Sequence, residues 1–76
     1  MRVEWSIAAR ISARRYLAGQ PGMRAVATAV SSLAVNPNPP EAFIRGSYRR
    51  LKAGACRVMY VLDDDVVTIE QVDRVI

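Results

Sequence analysis

Apolar and polar residues alternate near both ends of this chain and keep a helical rhythm between them. Val3 and Trp5 alternate with Arg2 and Glu4, the period of two expected of a short strand with one buried face. Ser6 follows where a helix N-cap would stand. Ile7, Ala8, Ile11, Tyr16 and Leu17 then recur at largely helical spacing, which predicts a helix from Ile7 to about Ala18, with Arg10 and Arg14 on another face and Gly19, Pro21 and Gly22 ending it. Met23, Val26, Ala27, Val30, Leu33 and Ala34 repeat at i, i+3, i+4 and i+7 and predict a second helix from about Gly22 to Ala34 whose stripe is core. The run Asn36-Pro37-Asn38-Pro39-Pro40 can continue neither a helix nor a sheet, because proline lacks the amide donor and turns its predecessor away from helical angles. Beyond this linker the period returns to two: a strand from Ser47 to Leu51, a tight connection through Ala53 and Gly54, a strand from Cys56 to Leu62, a turn at Asp63, Asp64 and Asp65, and a strand from Val66 to about Val75.

The order β-α-α-β-β-β predicts an α+β domain spanning residues 1–76, with two N-terminal helices packed on one face of a four-stranded, mainly antiparallel sheet. The opposite sheet face stays uncovered. Along the strand from Cys56 to Leu62, Arg57, Met59 and Val61 point one way and Val58, Tyr60 and Leu62 the other. Arg49 and Leu51 share a side of the preceding strand, and the register decides whether Arg49 joins Arg57. Trp5 and Tyr60 are read as core.

Composition narrows the function. With one cysteine, Cys56, and no histidine, the chain has no internal disulfide and no Cys/His metal spacing, and three adjacent aspartates on a turn rarely converge on one ion, so no cofactor or metal is expected. A chain of 76 residues buries only about 60–65 % of the surface its unfolded form exposes, so its stability is thin and burial against a partner is a natural remedy. No apolar run is long enough for a membrane span. Arg10, Arg14 and Arg15 interrupt any secretory apolar region, and the arginine-rich start is read as strand and helix rather than transit peptide; a cytoplasmic location is expected. The net charge is +4, and it is concentrated: Arg45, Arg49, Arg50, Lys52 and Arg57 fall between Ala42 and Leu62 with no acid among them. Cations on an uncovered sheet suit a polyanion, either nucleic acid or an acidic protein. Ten arginines against one lysine also fit GC-rich coding, which accounts for part of this bias without function.

A short strand, two helices, an Asn-Pro linker and then IRGSYRRLKAGACRVMYVLDDDVVTIEQV resemble the RelE/ParE toxin superfamily of bacterial toxin–antitoxin modules. The likeness covers nearly the whole chain, and its most specific piece is Cys56-Arg57-Val58-Met59-Tyr60 followed by the acidic turn. It implies a small basic toxin neutralised by a cognate antitoxin, with which it forms a hetero-oligomer. In the RelE branch it implies a ribosome-dependent mRNA endoribonuclease that inhibits translation, with ribosome and mRNA as partners. Arg57 matches that branch's catalytic strand arginine, Arg49 falls where a basic residue stands on the preceding strand, and Lys52 lies near a second one. Arg45, Arg50, Tyr48 and Arg74 are the expected RNA contacts. The RelE branch usually carries a His or Arg pair and a tyrosine after the last strand. Here the sequence reads Asp73-Arg74-Val75-Ile76, so Arg74 stands in for one of those cations and the tyrosine is missing. ParE-branch toxins, which act on DNA gyrase, would not need those groups, and a degenerate toxin that only binds its antitoxin would not either.

Cleaving RNA through its own 2′-hydroxyl needs a base, positive charge on the transition state and an acid. Arginine stays protonated and supplies only the charge, whereas a lysine crowded by cations can lose its proton. Lys52 is therefore the candidate general base, against the plainer reading of a solvated turn lysine. Arg57 is the candidate for transition-state charge, against an arginine that solvates the sheet or pairs with Glu70. Tyr48 is a candidate to stack on a base beside cations, with its face left open by the sequence. Arg10, Arg14 and Arg15 are read as a wet helix face.

Overall fold

The computed structural model describes residues 1–17 and 21–74, without the side chains of Tyr16, Leu17 and Pro21. Its elements are β1 (Arg2–Trp5), α1 (Ile7–Leu17), α2 (Pro21–Val35), β2 (Phe43–Arg45), β3 (Tyr48–Ala53), β4 (Cys56–Asp63) and β5 (Val66–Arg74). The predicted helix end at Gly19 and strand end at Val75 lie outside the described residues. The sheet has five strands in the order β1-β5-β4-β3-β2, antiparallel except for the parallel pairing of β1 with β5. The architecture is the expected α+β pair of layers, with one strand more than predicted. The extra strand, Phe43–Arg45, is too brief to show a period and exists because it pairs with β3.

Three tight hairpins close the meander, and each has a backbone reason. Arg45 pairs with Tyr48 around Gly46 and Ser47, and Ala53 pairs with Cys56 around Gly54 and Ala55. Gly46 and Gly54 have φ of 62° and 63°, the left-handed angle that the first position of a type II′ turn needs. A side chain at Gly54 would also meet Ala25 Cβ of α2 at 3.2 Å. Asp63 pairs with Val66 around Asp64 and Asp65, whose φ values of 49° and 63° are both left-handed, as a type I′ turn requires. The acidic triplet is thus turn chemistry, since aspartate tolerates this region better than most residues.

β5 carries a bulge. Tyr60 pairs with Ile69 while Met59 pairs with Gln71, so Glu70 is the extra residue. A bulge takes backbone groups out of the ladder, and two serines bracketing the first turns of α1 meet them. Ser6 Oγ donates to the Glu70 carbonyl at 3.1 Å, and the Val72 amide donates to Ser12 Oγ at 3.1 Å. Ser6 also caps the helix, accepting from the Ala9 amide at 3.0 Å.

This tie seats α1 through small residues. Ala9 and Ala13 are buried, while Ile7 and Ile11 are 76 % and 54 % exposed and Ala8 is exposed, which corrects the apolar face expected for this helix. Alanines let the helix backbone approach the sheet closely; a face of isoleucines would hold it away. In α2, Val26, Val30 and Leu33 are buried as expected, but Met23 and Ala27 are exposed and the stripe continues through the half-buried Ala25 and Ala29. Leu51, Ala53, Cys56, Val58, Tyr60, Val67, Ile69 and Val72 complete the core, with Val3 and Trp5 partly buried against it. Among the described residues no helix is long and apolar enough to cross a membrane.

The proline linker docks on the helix side of β3 and β4. The buried Tyr60 hydroxyl donates to the Pro37 carbonyl at 2.8 Å. Burial pushes this phenol's pKa above the ordinary 10.0, with the nearby Arg49 cation working the other way. The neutral phenol is the form the fold holds, so its stabilisation is complete below pH 10 and is lost as pH rises through the higher folded value. Tyr60→Phe is expected to cost about 1 kcal/mol at pH 8, and urea titrations should show the gap to the parent narrowing above pH 10. Asp65→Gly, which relieves a left-handed aspartate, is expected to stabilise by about 0.5–1 kcal/mol and to raise the melting temperature by several degrees.

Candidate functional site

On a strand, neighbours point to opposite faces and directly paired residues share one. The helix-free face therefore follows from the register. Phe43, Arg50 and Met59 form one cross-strand line, Arg45, Tyr48 and Val61 a second, and Lys52, Arg57 and Asp73 a third. Arg45, Arg50, Lys52 and Arg57 share this face with Phe43 and Tyr48, which are 44 % and 37 % exposed, while Arg2 lies on the same face at the far strand, paired with Glu4 at 3.1 Å. Met59 is 9 % exposed although it lies outside the core beneath the helices. The Arg50 guanidinium lies 4.9 Å from the centre of the Phe43 ring, a cation–π contact that holds one charge above an aromatic plate.

Arg57 is held by a carboxylate. Its Nε donates to Asp73 Oδ1 at 3.2 Å and its Nη2 to Oδ2 at 3.0 Å. The two side chains keep 38 % and 23 % of their surface exposed, so the pair is reachable from solvent. The hydrogen bond and charge of Asp73 raise the Arg57 pKa further, and the guanidinium stays charged. The partner weighed from the sequence was Glu70, but Glu70 is the bulge residue and its carbonyl is turned to Ser6.

Two expected site residues are not on this face. Arg49 pairs with Tyr60, which points to the helices; its Nε donates to Asn38 Oδ1 at 2.8 Å and its Nη1 to the Gly46 carbonyl at 3.0 Å. It fastens the linker and the first hairpin, which corrects its expected place beside Arg57. Arg74 pairs with the buried Cys56 and so belongs to the helix side. Asp73 was the residue missed. An acid beside a strand arginine was a signal in the sequence, but only the bulge turns it to the open face.

A concavity of about 560 Å³ opens between α2, the linker and β3, with Ala25, Ala29, Leu33, Leu51 and Ala53 in its wall and Glu41 and Lys52 also lining it. Its lining is mainly apolar, with Thr28, Ser32 and Asn36 as its neutral polar groups. Among the described residues no three metal-ligating side chains come together.

The open face presents cations that could meet a polyanion and exposed rings that could stack. Removing two phosphate contacts lowers the dependence of log K on log salt by about 1.4 for a single strand. Arg45→Gln with Arg50→Gln is expected to have that effect on single-stranded RNA binding, while Arg10→Gln with Arg14→Gln leaves the slope unchanged. Fluorescence titrations across a salt series check this.

No family model and no curated protein matches the sequence. Solved structures do match the fold. RelE in its complex with RelB from Pyrococcus horikoshii superposes with a TM-score of 0.76 at 19 % identity, covering 97 % of this chain and 93 % of that one. The RelBE2 toxin–antitoxin complex from Mycobacterium tuberculosis gives 0.63 at 19 % identity, with 96 % and 95 % covered. A variant of YafQ from E. coli gives 0.70 at 16 % identity, with 97 % and 93 % covered. Matched over nearly the full length in each comparison, these structures show that this chain has a RelE-like fold.

Proposed function

We propose that this chain is the toxin of a toxin–antitoxin pair and inhibits translation by cutting ribosome-engaged mRNA on its open sheet face. The observation that carries this reading is the gathering of Arg45, Arg50, Lys52 and Arg57 on one uncovered face of a RelE-like sheet. Arg57 puts fixed positive charge against the phosphate as it becomes five-coordinate. Arg45 and Arg50 hold the backbone, Tyr48 offers a ring for a base, and Lys52 lies directly across from Arg57. The partner is a cognate antitoxin. Two of the matched structures are toxin–antitoxin complexes, and this chain leaves Ile7, Ile11 and Met23 exposed on its helices. Covering such aliphatic surface contributes about 25 cal/mol per Å², which a domain this small can use. An amphipathic segment over the helices, with acidic side chains reaching the cationic face, fits both surfaces.

A second reading has its own observation. Arg57 already has a carboxylate partner, which suits a toxin of the ParE kind acting on gyrase, or a degenerate toxin that only binds its antitoxin, because neither needs a free guanidinium. Induced expression separates the readings. The nuclease reading expects growth arrest with mRNA cut at ribosome-protected codons, relieved by co-expressed antitoxin and lost in Arg57→Ala, with a rate loss of about 100-fold or more. Arrest with intact mRNA and DNA damage would instead identify gyrase as the target, and no arrest would identify a degenerate toxin.

A further inference from the structure

Arg57 can stabilise charge but cannot move a proton, so a cut through the 2′-hydroxyl needs two more groups, one on each side of the phosphorus. The sheet register supplies a pair of opposite kind. Lys52 is directly across from Arg57 on β3, and Asp73 is directly across from it on β5. The ammonium has protons to give, and the carboxylate has lone pairs to receive one. We propose that Lys52, Arg57 and Asp73 form a single catalytic row, with Asp73 as general base, Arg57 on the phosphorane and Lys52 as general acid, in place of the general-base role that the sequence suggested for Lys52. The proposal rests on the nuclease reading above and names the proton-transfer groups for it.

The spacing fits in-line displacement. Adjacent strands are about 4.8 Å apart, so groups on β3 and β5 are separated by about 9.6 Å at the level of the backbone. The Asp73 carboxylate already lies against the Arg57 guanidinium at 3.0–3.2 Å, and the long, flexible lysine stem lets Lys52 reach a phosphodiester held over Arg57 from the other side. Arg57 keeps enough donors to serve it. A guanidinium has five N–H groups, and the pairing with Asp73 engages Nε and Nη2, so Nη1 and the second Nη2 hydrogen remain for the non-bridging oxygens. Asp73 likewise retains a second lone pair on each oxygen. The side-on clasp therefore orients the arginine without consuming either group.

The step balances within the row. Asp73 takes the 2′-hydroxyl proton as the 2′-oxygen bonds to phosphorus. The bond from phosphorus to the 5′-oxygen breaks, and Lys52 transfers a proton to that oxygen. The products are a 2′,3′-cyclic phosphate and a 5′-hydroxyl, and proton exchange with water restores both side chains.

The test uses ribosomes programmed with a short mRNA, made either with the ordinary linkage at the mapped cut site or with sulfur in place of the leaving 5′-oxygen. A thiolate leaves without a proton donor, so this substrate bypasses the acid alone. Asp73→Asn keeps the shape and an acceptor for Arg57 but is a far poorer base. The expected result is a loss of cleavage of about 100-fold or more in Asp73→Asn, with complex binding retained and no rescue by sulfur. Lys52→Ala is expected to lose a similar factor on ordinary RNA and to recover it on the sulfur substrate. Asp73→Asn cutting at the parental rate or faster would overturn the row while leaving the nuclease reading intact. A parent protein that cuts neither mRNA would overturn both. Should Asp73→Asn fail to fold by circular dichroism, the Lys52→Ala arm decides alone, because absence of rescue there removes the acid and the row with it.

Discussion

The bulge at Glu70 is the constraint on which the rest of the molecule depends. Without it, continuing the pairing from Tyr60 and Ile69 would set Arg57 opposite Val72 and Cys56 opposite Asp73, placing a carboxylate over the core and a valine in water. One extra residue in β5 restores the agreement between pattern and pleat: Val72 returns to the core at full burial and Asp73 emerges beside Arg57. A one-residue slip exchanges the two faces of a strand, so this local irregularity decides both what is buried and what is available for chemistry. The same bulge ties down α1 through Ser6 and Ser12. Helix placement and site composition therefore have one origin.

The two faces of the sheet are made by different means. The helix side is assembled from small and branched residues, and alanines on α1 set a close approach. There the polar groups are committed: Arg49 to Asn38 and Gly46, Tyr60 to Pro37. The open side is built from long cationic side chains over Met59, with two aromatic rings at its margin. Lys52 and Arg57 stand directly opposite each other, an arrangement of like charge that disfavours the folded state. Asp73 offsets it on the far side of Arg57, so the same carboxylate has a structural reason to be there as well as the proposed chemical one.

Fold and partner are linked through exposed surface. The core is narrow, and Ile7, Ile11, Met23 and Val35 remain accessible on the helices. A partner that covers such groups stabilises the chain by binding only its folded form. A partner of the kind proposed above would have two surfaces to attach to, the exposed aliphatic side chains of the helices and the cationic face of the sheet.

Much of the architecture was legible in the chain itself. Alternation located β4 and β5 and assigned Arg57 and Tyr60 to opposite faces, Ser6 marked the start of α1, and the proline run marked the linker. The expectation failed where the deciding contacts join distant segments. β2 is too short for periodicity and is defined by its pairing with β3. The isoleucines of α1 outweighed its alanines as a hydrophobic signal, yet a helix held against a bulge by two serines buries its smallest side chains. Whether Arg49 or Arg50, and Arg74 or Asp73, reaches the open face depends on hydrogen bonds between strands, and identical alternation is compatible with either choice. Local pattern determined which residues alternate and where the chain turns; only the tertiary pairing, with its single inserted residue, decided which of them meet on one surface.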